Sequence, residues 1–262
     1  MIYFIGAGPG DAELITVKGA RLLGSCDVVI YAGSLVSPEV LKYAKKSAEI
    51  HDSSRMNLEE IIEIMKEAHE MNKDVARLHT GDPCIYGAIR EQMEKLDELG
   101  ISYEVCPGVS SFTAAAAVLK KELTVPGVSQ TVILTRMEGR TPVPCAESLK
   151  SLAVPGAAMA IFLSAGMIEK VAGELLESYG TDTPAAVVYK ATWPEQKVIE
   201  GTLKDIPDKA RQAGINKTAV ILVGDFLGER YECSKLYHAG FSHGFRDAGK
   251  CCGKPELREE TP

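Results

Sequence analysis

Three short glycine-containing loops carry residue types that could bind a small ligand. The first, residues 6–11, reads Gly-Ala-Gly-Pro-Gly-Asp and directly follows an apolar run. It fails the dinucleotide fingerprint G-x-G-x-x-G, because Asp11 stands where the third glycine is required and its carboxylate would repel a pyrophosphate. The P-loop pattern G-x-x-x-x-G-K-S/T is also missing from the sequence. Residues 6–11 therefore predict either a site for another kind of ligand or a tight turn without one.

The second loop, residues 79–87, places Asp82 between Gly81 and Pro83. These neighbours would hold the carboxylate in a fixed position, which suits a cationic or hydroxyl-bearing ligand. An Asx turn, in which the side chain accepts a bond from its own backbone, would explain the same residues without a ligand.

The third loop, residues 107–111, reads Pro-Gly-Val-Ser-Ser and leads into an alanine-rich helical pattern. The hydroxyls of Ser110 and Ser111 would either contact a ligand or cap that helix. All three loops follow predicted strands, and ligands bind at the C-terminal ends of strands in α/β sheets. This shared position favours ligand binding over three unrelated turns.

Short β-branched runs alternate with amphipathic helical patterns and define the elements that position these loops. Strands are predicted at 2–5, 27–31, 74–78, 103–106, 131–134, 159–163, 185–189, 197–200 and 219–223. Helices are predicted at 17–23, 112–119, 146–152, 167–179 and 204–213, with further helices starting near 37, 57 and 89. The pattern predicts an α/β fold.

The stretch 120–128, with Pro126 and Gly127, predicts a domain boundary. We expect an N-terminal α/β domain at 1–122, a C-terminal α/β domain at 123–232, and an irregular tail at 233–262 that is disordered from about 249. Each half is too short for a full six-stranded dinucleotide fold. Two small consecutive α/β domains predict a ligand cleft between them.

Composition excludes several classes of protein. The 262 residues carry a net charge of −7, and no dense basic stripe indicates nucleic-acid binding. No apolar run approaches the roughly 18 residues of a membrane span, and the N-terminus lacks signal-peptide features, so we expect a cytoplasmic protein without membrane partners. Seven cysteines without a C-x-x-C pair favour neither a disulfide framework nor a zinc site. Cys251 and Cys252 are interpreted as incidental free thiols.

The three loops in this order, as GAGPGD, GDPCIYGAIREQ and PGVSSFTAAAA, resemble the tetrapyrrole (uroporphyrinogen/precorrin) methylase family. The resemblance covers residues 1 to about 246. It is strongest to the subgroup that acts on C11 of precorrin-4 or cobalt-precorrin-4. The segments that resemble this subgroup are YAGSLV (31–36), RLHTGD (77–82), VSQTVILTR (128–136), EGRTPVP (138–144), SKLY (234–237) and FSHGFR (241–246).

The resemblance implies two α/β domains of the tetrapyrrole methylase type, unlike a Rossmann methyltransferase, assembled as a homodimer. It implies S-adenosylmethionine in the interdomain cleft and methyl transfer to a ring carbon of a tetrapyrrole, with no metal required for catalysis. The positions that match cofactor contacts are Pro9, Thr80, Gly81, Asp82, Ile85, Ser110, Ser111, Leu163 and Ala191. No catalytic residue is assigned, because Tyr31-Ala32-Gly33 departs from the Tyr-Asp-x-Leu-Val pattern of the uroporphyrinogen enzyme.

A tetrapyrrole is polyanionic through its acetate and propionate arms, and an acidic protein needs local basic groups to bind it. The candidates near strand ends are Arg55, Arg90, Arg136, Arg140 and Lys190, with Arg136 and Arg140 preferred. Each of these residues is explained equally well as an ordinary charged group on the protein surface. Of the five histidines, His79 alone borders a candidate loop. Trp193, the only tryptophan, would stack on a flat ring or form an apolar rim.

Two alternatives remain open at the level of sequence. One is another methylase of the same fold, namely a precorrin C17 or C20 methyltransferase, uroporphyrinogen III methyltransferase or diphthine synthase. Residues 136–144 favour C11 over these. The other is a non-catalytic nucleotide-binding domain, which would explain the glycines but not the three strand-end loops together. The binding loops do not distinguish a metal-free from a cobalt-containing substrate.

Overall fold

Two five-stranded sheets organise the chain, and the computed structural model describes residues 1–248. The tail predicted to be disordered from about 249, with Cys251 and Cys252, lies outside the described residues. Between 233 and 248 the chain is irregular, with a 3-10 turn at Lys235–Tyr237 and a bridge between His243 and Arg246.

The first sheet is entirely parallel, with strand order β3-β2-β4-β1-β5. Its strands are β1 (Ile2–Gly6), β2 (Val28–Tyr31), β3 (Glu49–Asp52), β4 (Val75–His79) and β5 (Tyr103–Cys106). The helices of this half are α1 (Val17–Ser25), α2 (Leu58–Glu70), α3 (Ile89–Glu98) and α4 (Ser111–Leu119). Because all five strands run in one direction, the loops at 6–11, 79–87 and 107–111 meet at the same edge.

Alternation along the strands divides the first domain into two apolar layers. On one face, Leu22 and Leu23 of α1 pack with Ile5 of β1. On the other, Met65 of α2 and Leu96 of α3 pack with Ile2, Phe4, Ile30 and Val75. The two layers bury the sheet on both sides, as expected of a parallel sheet.

The second sheet is mixed, with strand order β6-β7-β10-β8-β9. Its strands are β6 (Val132–Arg136), β7 (Ala158–Phe162), β8 (Pro184–Tyr189), β9 (Lys197–Thr202) and β10 (Ala219–Val223), and its helices are α5 (Leu149–Leu152), α6 (Ile168–Tyr179) and α7 (Ile206–Gln212). β6 and β7 are parallel, and β10 lies antiparallel between β7 and β8. β6, β7 and β8 therefore run the same way, and the loops that follow them share one edge.

Helix α4 packs against the second sheet, although it precedes the predicted boundary at 120–128. Its residues Ala114 and Ala115 are buried in the same cluster as Val188, Val220 and Leu222. The small alanine side chains allow the helix to approach the sheet closely. The third loop, which precedes α4, thus connects the two sheets directly.

Three local predictions differ from the structure. The helix predicted at 146–152 is interrupted at Ser148, with a 3-10 helix at Cys145–Glu147 and α5 starting at Leu149. The Ser37-Pro38 signal predicts a full helix, but a 3-10 helix forms at Pro38–Tyr43 and the Ser37 side chain makes no cap hydrogen bond. Strand β3 was not predicted, because this edge strand of sequence Glu-Ile-His-Asp is mostly exposed and lacks an apolar run. By contrast, the Asn57 capping signal is confirmed: Asn57 and Glu60 form a reciprocal capping box.

Candidate functional site

The three loops of the first sheet contact one another through the backbones of their glycines. A Cβ atom on Gly6 would lie 2.5 Å from Cα of Gly108, and one on Gly108 would lie 2.2 Å from the carbonyl oxygen of Gly81. Gly81 N–H donates to the Gly8 carbonyl at 2.8 Å, and Gly8 N–H donates to the Gly81 carbonyl at 3.3 Å. Any side chain at Gly6 or Gly108 would separate the loops, so the glycines are required for this close approach.

The Asp82 carboxylate joins the second loop to the third. Its Oδ1 accepts from Cys84 N–H at 2.8 Å, which is the predicted Asx turn, and its Oδ2 accepts from Gly108 N–H at 2.9 Å. Both oxygens therefore bind backbone amides. Asp82 positions the loop edge that surrounds the candidate site.

The first loop also contacts the loop that follows β8 in the second domain. Trp193 Nε1 donates to the Pro9 carbonyl at 2.8 Å, and Asp11 N–H donates to Thr192 Oγ1 at 2.9 Å. A Cβ atom on Gly10 would lie only 2.1 Å from Cδ1 of Trp193. The indole thus packs directly on the glycine loop and holds the two domains together.

Left-handed backbone conformations cluster at the edge of the second sheet that carries these loops. Leu163, Lys190 and Thr192 have φ values of 55°, 46° and 69°. Such conformations are unfavourable for residues other than glycine and are concentrated at functional sites. Leu163 is also 69% exposed, an unusual state for a leucine that directly follows a buried strand.

Ser164 fixes the loops after β6 and β7. It is fully buried, and its Oγ accepts from Met137 N–H at 2.9 Å and donates to the Phe162 carbonyl at 2.7 Å. Phe162 in turn contacts Tyr86 of the second loop, with ring centroids 5.2 Å apart. The C-terminal edges of both sheets therefore face each other, as the predicted interdomain cleft requires.

A cavity of about 380 Å³ lies beside this junction, at the C-terminal ends of β2, β3 and β4. Thr80 and Ile85, two of the predicted cofactor contacts, lie in its wall. The wall also includes Arg77 and His79 of β4. These two charged or titratable groups alternate with buried apolar residues, so both lie on the same face of the strand.

Arg77 is buried without a carboxylate partner among the described residues. Its Nε donates to Gln92 Oε1 at 3.1 Å, and its Nη1 donates to Ser53 Oγ at 3.0 Å. Burial lowers the pKa of the guanidinium to about 10, so the group remains charged at neutral pH. A buried cation bonded only to neutral acceptors is rare, because the charge is costly to desolvate.

His79 is buried beside Arg77, and its Nε2 has no hydrogen-bond partner among residues 1–248. Burial, with a smaller contribution from the charge of Arg77, lowers the pKa of His79 to about 3, and a hydrogen bond to the backbone of Gly87 opposes the shift. The imidazole is therefore neutral at physiological pH. Sequence reasoning singled out His79 but missed Arg77, whose signal was a basic residue inside the apolar strand Val-Ala-Arg-Leu-His.

The predicted cofactor contacts come together at the facing edges. Thr80, Gly81, Asp82 and Ile85 lie in the second loop, and Leu163 and Ala191 directly follow β7 and β8. Pro9, Ser110 and Ala191 are buried. Ser110 occupies the N-cap of α4, followed by Ser111 as its first residue, but the Ser110 side chain makes no cap hydrogen bond. Capping therefore does not account for this hydroxyl.

The predicted basic residues are dispersed, and none of them lines the cavity. Arg55 and Arg140 are exposed, and Arg90 pairs with Glu94 on the surface of α3. Arg136 donates to two carbonyls of its own loop, those of Thr141 and Pro142. Lys190 lies 4.6 Å from the centroid of the Trp193 ring and pairs with Glu195.

The described part of the chain offers neither a metal site nor a membrane-spanning helix. Residues 1–248 contain no group of three or more His, Cys, Asp or Glu side chains able to hold a metal ion. None of the helices in that range has the length and hydropathy needed to cross a bilayer.

The fold and the loop constellation correspond to one family of enzymes. The family model of the tetrapyrrole (corrin/porphyrin) methylases matches residues 1–207. Because this match spans well over half of the chain, the protein belongs to that family, and the resemblance seen in the sequence is confirmed.

Relatives within the family are similar over nearly their full length. The chain is 55% identical over 251 residues to a cobalt-precorrin-4 C(11)-methyltransferase of Methanocaldococcus jannaschii, covering 95% of this chain and 97% of the relative. It is 48% identical over 246 residues to a precorrin-4 C(11)-methyltransferase of Pseudomonas aeruginosa, covering 94% and 98%.

Solved structures superpose on most of the chain. A cobalamin biosynthetic enzyme, cobalt precorrin-4 methyltransferase, superposes with a TM-score of 0.84 and 49% identity, covering 87% of this chain and 96% of that one. A uroporphyrin-III C-methyltransferase of Thermus thermophilus, solved with S-adenosylhomocysteine, has a TM-score of 0.73 and 26% identity, covering 87% and 95%. The predicted fold class is confirmed.

Proposed function

We propose that the protein is an S-adenosylmethionine-dependent methyltransferase that methylates C11 of precorrin-4 or cobalt-precorrin-4 in corrin ring biosynthesis. The observation that carries this proposal is the junction of three first-sheet loops with the loops after β7 and β8, beside a polar cavity. The names of relatives 48–55% identical over nearly the whole chain support the C11 position.

The groups at the junction support S-adenosylmethionine as the cofactor. Close-packed glycines present backbone amides and carbonyls, and the exposed side chain of Leu163 adds apolar surface. The residues we propose to hold the cofactor are Pro9, Thr80, Gly81, Asp82, Ile85, Ser110, Ser111, Leu163 and Ala191. Asp82 would do so by positioning the second and third loops. When bound, the sulfonium supplies an activated methyl group.

The residues of the chain then have three tasks: to bind the tetrapyrrole, to orient one ring carbon, and to exclude water. Holding two reactants in line can supply a large part of the rate enhancement. The ring carbon is itself the nucleophile, so the chain need not provide a covalent intermediate. The polar cavity beside the glycine junction is the place proposed for the tetrapyrrole.

Two further expectations of the family resemblance belong to the proposal. We propose that the protein is a homodimer and that it works in the cytoplasm, with a small tetrapyrrole and neither nucleic acid nor membrane as its partner. Light scattering coupled to size-exclusion chromatography tests the first expectation. An elution mass of one chain at micromolar concentration would contradict it.

The activity is tested by incubating the protein with S-adenosylmethionine and either precorrin-4 or cobalt-precorrin-4. Mass spectrometry counts the methyl groups added, and NMR of the product locates them. Methylation at C11 is expected, and the ratio of the two rates identifies the preferred substrate. Methylation at another carbon would instead support another methylase of this fold. Cofactor binding without any methylated product would support the non-catalytic alternative.

A further inference from the structure

The cavity beside the glycine junction is lined by two side chains with hydrogen-bonding atoms that no residue among 1–248 engages. Arg77 Nε and Nη1 have partners, but no described residue accepts a hydrogen bond from Nη2. His79 Nε2 is likewise buried and unpartnered within the described chain. Arg77 and His79 both line this cavity from one face of β4, so a single ligand group entering it would lie beside both side chains.

A purely structural role explains only part of this arrangement. The bonds to Gln92 and Ser53 tie β4 to α3 and to the turn after β3, and they would suffice to brace the sheet. Both of these bonds are to neutral acceptors, so the buried positive charge of Arg77 has no anion beside it among the described residues. The bonds of Arg77 also do not explain His79 Nε2, a buried polar atom without a partner among the described residues, and such atoms are few in native structures.

The acidic residue in the cavity wall does not supply the missing anion. Glu91 also lines the cavity, but it is exposed, and no described hydrogen bond or ion pair joins it to Arg77. The charge of Arg77 is therefore available to a ligand. At a buried position an arginine–carboxylate pair is stronger than at the surface, because water screens it less.

We infer that Arg77 and His79 form the binding site for one carboxylate arm of the tetrapyrrole. This inference rests on the proposed function and specifies how the substrate is anchored. Arg77 Nη2 donates to one oxygen of the arm. His79 Nε2 donates to the other oxygen once the imidazole takes up a proton, which the entering negative charge favours.

This site differs from the predicted pair Arg136 and Arg140 in a way that can be measured. The guanidinium of Arg136 is engaged by carbonyls of its own loop, and Arg140 is exposed. Arg77, by contrast, is buried and lines the cavity. It should therefore contribute to affinity even at high salt, where exposed arginines are screened.

The test uses uroporphyrin III, a stable porphyrin that carries acetate and propionate arms, and follows its binding by quenching of Trp193 fluorescence. Arg77→Gln should weaken binding by about ten- to a hundredfold, the effect of a lost charge-assisted hydrogen bond. His79→Asn should weaken it by about tenfold. Affinity for S-adenosylhomocysteine, measured by calorimetry, should stay within about twofold of wild type in both variants.

The matched control is Arg21→Gln, which removes one exposed arginine from α1 on the opposite face of the same sheet. It should bind uroporphyrin III like the wild type. Glu91→Gln should bind equally or more tightly, whereas weaker binding would identify Glu91 as a ligand contact and contradict the assignment. Should Arg77→Gln fail to fold, Arg77→Lys and His79→Asn decide the question.

Wild-type affinity for uroporphyrin III in folded Arg77 and His79 variants would overturn the inference while leaving the proposed function intact. A wild-type protein that binds S-adenosylhomocysteine but no uroporphyrin III would instead contradict the tetrapyrrole substrate itself. The two failures are therefore distinguishable in one set of titrations.

Discussion

The carboxylate of Asp82 accepts a hydrogen bond from the backbone N–H of Gly108 at 2.9 Å, and this bond joins the loops that follow β4 and β5. The second carboxylate oxygen orders the loop of Asp82 itself through Cys84 N–H. A single side chain thus sets the positions of two of the three loops that we propose to surround the cofactor.

Replacement of Asp82 by alanine should lower the affinity for S-adenosylmethionine by about tenfold or more, because two backbone amides lose their acceptor and the loops separate. Asp82→Asn should have a smaller effect, since one amide oxygen remains to accept. Calorimetric titration measures both. Far-UV circular dichroism should be unchanged, because the strands do not depend on this residue.

The matched control for these variants is Asp182→Asn, an exposed carboxylate in the second domain. It should leave cofactor affinity at the wild-type value. Unchanged affinity in a folded Asp82→Ala protein would remove Asp82 from the site.

The contact between Trp193 and the first loop should contribute to cofactor affinity by holding the domains together. Trp193→Phe keeps an aromatic ring but removes the N–H that donates to the Pro9 carbonyl. Loss of one neutral hydrogen bond corresponds to a two- to tenfold weaker affinity. Gly10→Ala should have a larger effect, since its Cβ would overlap the indole. Wild-type affinity for S-adenosylhomocysteine in both variants would show that this interdomain contact does not contribute to cofactor affinity.

Salt should distinguish the basic residues that bind the tetrapyrrole. Arg136→Ala and Arg140→Ala should each raise the tetrapyrrole KM and leave cofactor affinity nearly unchanged. For exposed Arg140 the effect should disappear as ionic strength rises, because charges are screened over about 8–10 Å at 0.1–0.15 M salt. For buried Arg77 the effect of Arg77→Gln should persist. If the tetrapyrrole KM of both variants equals that of the wild type at low salt, Arg136 and Arg140 are surface residues that do not bind the substrate.

The buried imidazole of His79 should make stability depend on pH. Its pKa falls from about 6.5 in the unfolded chain to about 3 in the folded protein, so below pH 6.5 the unfolded state binds a proton that the folded state does not. Stability from this residue is therefore fully present above pH 6.5 and decreases as the pH falls. Between pH 7.5 and pH 5 the free energy of unfolding of the wild type should decrease by roughly 2 kcal/mol more than that of His79→Asn.

Urea unfolding of both proteins at the two pH values measures this difference. Because His79→Asn keeps every other titratable group, their contributions cancel in the comparison. An equal pH dependence in the two proteins would show that His79 is protonated or exposed in solution.

Much of the site could be predicted from the sequence because its main features are local. The glycine loops at 6–11, 79–87 and 107–111 each follow an apolar strand, and strand and turn signals depend on neighbouring residues. The family resemblance then assigned a cofactor to these loops. The Asx turn of Asp82 is equally local, since its acceptor and donor are two residues apart.

Features that depend on contacts between distant segments required the tertiary structure. Three contacts join residues that no local sequence pattern relates. They are the hydrogen bond from Gly108 to Asp82, the packing of Trp193 on Gly10 and the packing of α4 on the second sheet. The mixed second sheet was missed for the same reason, because strand direction is decided by which strands pair.

Arg77 shows this division most clearly. In the sequence it is one basic residue in an apolar strand, and the arginines at 136 and 140 are more prominent because they follow the strand predicted at 131–134. The sequence determined its charge and, through strand alternation, its placement on the same face as His79. Only the tertiary structure decided that the neighbours of Arg77 would be neutral and that the open cavity would lie beside it, because both depend on where α3 and the turn at Ser53 pack.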